Sequence, residues 1–517
     1  MTDNSGLTRR TVLGAGAAAI ATVAVSDLFH VSSVFASTGP VPGIGYFSRF
    51  GVDEKLIRST IATAMSRGGD YADVFFQHRV SNNLALEDGA VNRAFANVGL
   101  GVGVRVVKGD QTGYGFTEDI TAEGLQRAAV TAAAIADGPA KAAPVEFRVS
   151  SKPDRYPIKV RWDEVRPQQK LAILNGLNEQ AFKADERIKK VNLGFMDQAS
   201  VILIADSTGR IVEDAQPMTS LYLACVAEQG GKRENNSVNR AARADIAYYT
   251  PERLDRMVKD VVSKTMVLFD AVQPPAGEMP VVLGAGSAGI LLHEAIGHGM
   301  EADFNRKGTS IFSDKIGKPV AKPFVSIIDE GTQAGARGAI NIDDEGNPAG
   351  RTMLVENGTL TTYLHDSISA KHYGVKPTGN GRRQGYEHAP IPRMRSTYMA
   401  PGPHKRDEII ASVKNGIYCD HFSNGQVNIG AGDFTFFVKN GYLIEDGKLT
   451  KPIKDVNIIG NGPKVLELID MVADDLKIDE GGWTCGKDGQ SVPVSQGLPT
   501  VRVSSITVGG RAQAKKA

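Results

Sequence analysis

Cysteine is scarce in this chain: Cys225, Cys419 and Cys485 are the only three in 517 residues. Three thiols cannot build a disulfide framework, and an odd number leaves at least one unpaired within the chain. Charge of one sign is equally short. Lys and Arg exceed Asp and Glu by 59 − 58 = +1, so nothing electrostatic favours nucleic acid or an anionic surface as principal partner. Beyond the N-terminal segment no stretch reaches the ~18 uninterrupted apolar residues of a membrane span, and the mature chain is expected to carry no stable membrane anchor. Aromatics are few at 7%, whereas glycine reaches 57 residues, a share above its ~7% typical usage that points to many tight turns. The 42% apolar and 23% charged fractions exclude disordered and fibrous classes. The length leaves room for roughly two to four domains with a large buried core.

The first 36 residues read as an address. Thr8-Arg9-Arg10-Thr11-Val12-Leu13 opens an apolar run over residues 12–25, and the segment ends Val34-Phe35-Ala36, close to the small-residue rule for signal cleavage. The paired arginines make this a twin-arginine-type signal, with export to the periplasm or cell envelope expected. A helix of 14 such residues spans only about 21 Å, short of the ~30 Å hydrocarbon core.

Periodicity predicts an α+β fold in two parts. The first, residues 44–273, mixes sheets and helices: helices over 53–67, 122–136, 168–182 and 251–268, strands over 72–80, 83–86, 98–107, 190–196, 201–205 and 220–228, and a proline-bearing connector over 138–155. Thr250 is the expected N-cap of the last helix, with Pro251 at its first position. From 274 to 510 the chain is expected to be a β-rich domain, with strands at 324–328, 352–356, 359–364, 426–429, 435–438 and 442–444. The pairs Asn357-Gly358 and Asn440-Gly441 read as hairpin turns.

Seven of the nine histidines lie between residues 293 and 421. His293-Glu294-Ala295-Ile296-Gly297-His298 puts two imidazoles around a carboxylate, as a zinc hydrolase requires: the rings hold the ion and the glutamate takes the proton of a water beside it. The spacing departs from H-E-x-x-H. Histidines four apart are about 40° apart on a helix, whereas five apart they diverge by about 140°. Joint ligation therefore requires a local distortion between Glu294 and Gly299, either a π-bulge or a helix that ends at Gly297. Catalytic zinc usually takes three protein ligands. Cys485 is the candidate third, placed in a polar, glycine-rich loop over residues 483–490, where a thiolate serves a metal better than a buried filler would. Cys225 suits an apolar strand, and Cys419 is intermediate.

Gly284-x-Gly286-x-x-Gly289 overlaps the same segment and matches a dinucleotide-binding turn. Glu301 and Asp303 fall near the expected acidic position, but no apolar strand precedes them, and the helix carries His293, Glu294 and His298 where it would need an apolar face. The glycines are better read as allowing close backbone approach.

The chain closely resembles the TldD/PmbA family of metalloproteases, of the metal-bearing TldD type. The resemblance runs from about Tyr71 to Gly510 and is densest in HEAIGHGMEADFNRKGT (293–309), IDDEGN (342–347), TGNGRRQGYEHAPIPRMRSTYM (378–399), NGIYCDHFSNGQVNIGAGD (415–433) and CGKDGQSVPVSQGLPTVRVSSITVGG (485–510). It implies His293, His298 and Cys485 as ligands of one Zn2+ and Glu294 as general base. It further implies hydrolysis of unfolded or extended peptides and a heterodimer with a metal-free sister subunit. The signal segment departs from the family pattern; if it is used, the sister travels too or a homodimer replaces it. The alternative is a non-catalytic peptide-binding or scaffold subunit. Arg382, Arg383, Glu387 and His388 form a polar cluster read first as a salt-bridged loop and second as a carboxylate clamp. Tyr386 and His421 are both candidates for stabilising an oxyanion. Strands 426–429 and 435–438 are read as interior hairpin strands, with an edge for an extended peptide as the second possibility.

Overall fold

The structure, a computed structural model, describes residues 44–144, 146–428 and 430–509; the expected leader lies outside them. The fold is α+β. One seven-stranded sheet organises the first half, in the order Gln111–Thr117, Ala90–Lys108, Tyr71–Glu87, Ile188–Asp206, Arg210–Gln229, Arg148–Val149, with Lys232–Ala242 also paired to Arg210–Gln229. Four of these strands run 17 to 20 residues, so at ~3.3 Å per residue each serves two cores in series. Helices Glu54–Ala64 and Ala122–Ala133 cover one end and helices Pro167–Ala184 and Pro251–Met266 the other. Thr250 caps the last of them, accepting the Arg253 N–H as expected.

The expected breaks within these strands are absent. Asn82 and Asn83 interrupt the apolar alternation, yet the ladder continues through them, because Asn82 Nδ2 donates to Asp197 Oδ1 on the neighbouring strand at 2.8 Å. Strand Lys232–Ala242 carries no apolar alternation and is invisible to periodicity; its register with residues 219–229 forms it. The opposite face of the sheet meets the second half of the chain, where Phe75, Ile202, Ile204 and Val212 pack with Ile342 and Tyr386.

In the second half, strands Gly277–Leu283, Val501–Gly509, Val456–Asn461, Asp433–Glu445 and Asn415–Asn428 close into a ring, the last pairing with both Gly277–Leu283 and Asp433–Glu445. A six-stranded sheet containing Ile327–Glu330, Ser396–Met399 and Ser495–Leu498 lies beside it. Asn357 and Gly358 both take positive φ, as a hairpin turn requires. Asn440-Gly441, expected as a second such turn, instead lies inside the continuous strand Asp433–Glu445. A Cβ at Gly441 would sit 2.4 Å from the Tyr418 carbonyl, so close strand approach, not chain reversal, explains the glycine. Among the described residues no helix is long and apolar enough to cross a membrane.

Candidate metal centre

Strand Gly277–Leu283 delivers the chain to Gly286, whose φ of +100° turns it into a short 3-10 segment, Ser287–Gly289. A Cβ at Gly289 would lie 2.7 Å from the Gly497 backbone nitrogen, so the glycine lets the new helix press on strand Ser495–Leu498. The strand before it is flanked by one parallel and one antiparallel neighbour, which is not the parallel sheet of a dinucleotide fold. Next, Leu292–Gly297 forms one turn of π-helix, followed by a 3-10 turn, His298–Met300. The required distortion therefore takes the π form. Leu292, Ala295 and Ile296 are buried in the core between the ring of strands and the six-stranded sheet, which anchors the turn.

This turn brings His293, His298 and Cys485 together. One donor atom from each lies within 4.8 Å of the others, and the imidazole centroids are 5.1 Å apart with planes at 82°. All three side chains are buried. His298 Nδ1 bonds Glu301 Oε2 at 2.9 Å, which leaves Nε2 facing Cys485 Sγ at 3.4 Å. Burial pushes the Cys485 thiol up, but the imidazoles of His293 and His298 outweigh it and hold the thiol well below its ordinary range. Both ring nitrogens of His293 are buried without a hydrogen-bond partner among the described residues, an arrangement that costs about 1–3 kcal/mol per group unless a ligand satisfies it. The donor set fits a metal ion: a thiolate, an imidazole with its tautomer fixed by a carboxylate, and an orphaned imidazole. Glu294 borders the cluster, 23% exposed, with Oε2 3.9 Å from His298 Nε2.

Cys485 does not sit in a loop. It lies on strand Thr484–Lys487, paired with Gln490–Pro493 through a turn in which Asp488 and Gly489 take positive φ. Alternation along this strand buries Cys485 and Lys487 and exposes Thr484 and Gly486. Arg393, fully buried, holds the hairpin from behind, its Nη2 donating to the Cys485 carbonyl at 2.6 Å. Lys487 Nζ reaches Glu301 Oε2 at 3.0 Å and Asp303 Oδ1 at 2.8 Å. Glu301 is thus shared between His298 and Lys487, and it ties the π-turn to the hairpin. Its carboxyl, which burial would raise, is held down at about 2 by Lys487 and His298. Sequence reading missed Glu301, Lys487 and Arg393 in these roles; the available signal was the two-residue step from Cys485 to Lys487, which places both on one face of a strand.

The other candidates are held by partners of their own, although Arg382 lies near enough to Cys485 to feel its charge. Arg382 donates to the Met394 and Pro493 carbonyls at 2.6 and 2.8 Å, and Arg383 to the Asp344 carbonyl and the Tyr114 hydroxyl at 2.8 and 3.1 Å. Both are buried braces. Tyr386 spends its hydroxyl on Glu118, Glu387 is exposed, with His388 Nδ1 4.0 Å from its carboxylate, and His421 lines a cavity between the two halves of the chain. Cys225 and Cys419 are buried thiols pushed up by desolvation, Cys225 to about 12.

Comparison with known proteins agrees with this architecture. Three family models match: PmbA/TldA metallopeptidase domain 1 over residues 72–136, the central domain over 161–269 and the C-terminal domain over 276–510. A Haemophilus influenzae relative named metalloprotease TldD homolog is 40% identical over 86% of this chain and 94% of its own. A Saccharolobus solfataricus relative named zinc metalloprotease TldD homolog is 27% identical over 87% of this chain and 99% of its own. The crystal structure of TldE from Thermococcus kodakarensis superposes with a TM-score of 0.70 at 18% identity, covering 88% of this chain and 99% of that one.

Proposed function

The chain belongs to the PmbA/TldD family of metallopeptidases, and from that premise we propose a zinc-dependent peptidase acting on unfolded or extended peptides. In this proposal His293, His298 and Cys485 hold the ion and Glu294 is the general base. The orphaned His293 ring beside the Cys485 thiol carries it: two nitrogens and a soft sulfur suit zinc far better than magnesium or calcium, and three ligands leave a position open. A relative bearing the zinc name adds support.

When bound, the ion supplies Lewis acidity toward the scissile carbonyl and lowers the pKa of a water towards roughly 7. The chain's own groups do the rest. Glu301 fixes the tautomer of His298, and Lys487 balances the Glu301 charge. Glu294, open to solvent at the rim, accepts the proton of the attacking water and returns it to the leaving amine. Strand Asn415–Asn428 pairs with Gly277–Leu283 only at residues 417–419, so beyond Cys419 that side has no strand partner among the described residues and offers main-chain groups to an extended peptide.

The proposal extends to a heterodimer with a metal-free sister subunit, or a homodimer. From Arg9-Arg10 and the apolar run after them it also extends to twin-arginine export into the periplasm or cell envelope. Cys485→Ala is expected to lose zinc by elemental analysis and to stop hydrolysing an unstructured casein-type substrate; normal zinc content in that variant would remove the sulfur from the ligand set.

A further inference from the structure

A cavity of about 940 Å³ lies between the two halves of the chain. Strand Lys232–Ala242 and helix Pro251–Met266 wall one side, and strand Asn415–Asn428 with residues 477–483 wall the other. Most of its acids are already committed. Asp260 and Glu480 both pair with Arg240, at 2.6 and 3.3 Å, and Asp479 Oδ1 accepts the Gly481 N–H at 2.7 Å. Asp420 alone among them has neither a cation nor a hydrogen-bond donor on its carboxylate among the described residues.

The cations are a different matter. Arg256, Lys264, Lys439 and Lys477 line the same space, and none has a carboxylate within ion-pair distance among the described residues. Lys264 and Lys439 are half-buried, where an uncompensated ammonium is costly. Lys264 and Lys439 share a neighbour in the wall: burial first, then the charges of Lys264, Arg240 and Lys439, hold the His421 ring down at about 3. His421 therefore adds no positive charge of its own, and Asp420 precedes it in the same wall.

We propose that this cavity is a binding site for a carboxylate-bearing peptide, its carboxylate seated between Lys264 and Lys439 beside His421. The volume lies at the upper end of ligand pockets and far exceeds the needs of an inorganic anion. The walls also bring Phe437 and Trp483 for side chains and the amide of Asn235 for a peptide backbone. The space borders the elements of the metal centre, since Trp483 stands two residues before Cys485. The peptide character of the ligand rests on the peptidase reading above; the preference for negative charge does not.

The test uses the full chain as its Glu294→Gln variant, loaded with zinc, so that binding is read without turnover. Calorimetry compares two short peptides, each acetylated at its N-terminus and amidated at its C-terminus, and inorganic phosphate. One peptide is a run of alanines followed by a run of glutamates; the other carries glutamines in place of the glutamates. The glutamate peptide is expected to bind about tenfold tighter than the glutamine peptide, an advantage that shrinks as salt is raised. Lys264→Gln/Lys439→Gln is expected to remove that advantage while leaving the glutamine peptide within about twofold. Should the double variant fold poorly, Lys477→Gln on the exposed rim is expected to weaken the glutamate peptide about threefold. Equal affinities for the two peptides, an advantage that survives the lysine substitutions, or phosphate binding as tightly as the glutamate peptide would each overturn the proposal. Failure of the wild-type chain to cleave any peptide would instead strike the peptidase reading and leave the charge preference standing.

Discussion

The backbone N–H of His298 donates to the carbonyl of His293, five residues back. In a regular α-helix the same N–H would return to Glu294, and the two imidazoles would diverge by about 140°. The wider turn brings them edge to face instead, with centroids 5.1 Å apart. A single misplaced backbone bond thus converts H-E-x-x-x-H from a poor metal motif into a workable one.

Gly297 makes that turn possible. A Cβ there would fall 2.1 Å from Met394 Sδ and 3.1 Å from the Leu292 carbonyl, and Met394 is fully buried. Gly297→Ala is expected to cost about 1–3 kcal/mol of stability by overpacking and to weaken zinc binding by displacing His298. Denaturant melts with and without zinc check both effects. Wild-type values in the two series would show that the turn has slack.

Glu294 Oε2 lies 3.9 Å from His298 Nε2, outside hydrogen-bond reach, so its removal is expected to leave the donor atoms of His293, His298 and Cys485 in place. Glu294→Gln is expected to keep zinc stoichiometry and melting temperature while kcat on an unstructured peptide falls by about 10²–10⁴, the range for loss of a general base. Full turnover in that variant would assign the proton transfer to another group.

The meeting of His293 and His298 was legible because metal-ligating residue types at close spacing leave a local signature, and the geometric misfit of five residues itself foretold the distortion. The helices of the first half were legible for a similar reason: Thr250-Pro251 marks a start regardless of tertiary context. What escaped was non-local. Lys232–Ala242 is a strand only because its neighbour pairs with it, and Asn440-Gly441 reads as a turn until Tyr418 packs across it. Glu301 and Lys487 meet at 3.0 Å although 186 residues separate them in sequence. No window of sequence contains that pair.

Lys487 is buried between Glu301 and Asp303. Lys487→Met keeps the length of the stem but strands Glu301 without its cation, a change expected to cost about 3–5 kcal/mol. Because Glu301 also orients His298, zinc affinity is expected to drop by about 10–100-fold, the range for loss of a metal's outer partners. Competition with a zinc chelator reads the affinity and thermal melts the stability. A variant that loses stability but binds zinc as tightly as the wild type would show that Lys487 braces the hairpin alone.

Asp366 caps helix Ser367–Tyr373 by accepting the Ser369 N–H at 2.8 Å, and it lies near Glu345, which is fully buried and paired with Arg105 at 2.7 Å. Burial, then the Glu345 charge, pushes the Asp366 carboxyl up to about 6 from 3.8. The folded chain therefore keeps this proton up to about pH 6, while the unfolded chain releases it near 3.8, so the folded state binds more protons across that window. Its contribution to stability falls as pH rises from about 4 to about 6 and is level above. Asparagine caps a helix as well as aspartate does and carries no charge to bury. Asp366→Asn is thus expected to match the wild type at pH 4, gain progressively to pH 6, and hold an advantage on the order of 2–3 kcal/mol at pH 8. Urea titrations at those three pH values decide the matter. A constant offset between variant and wild type would mean that Asp366 is ionised throughout and that the Glu345 charge is neutralised by Arg105 before it reaches the cap.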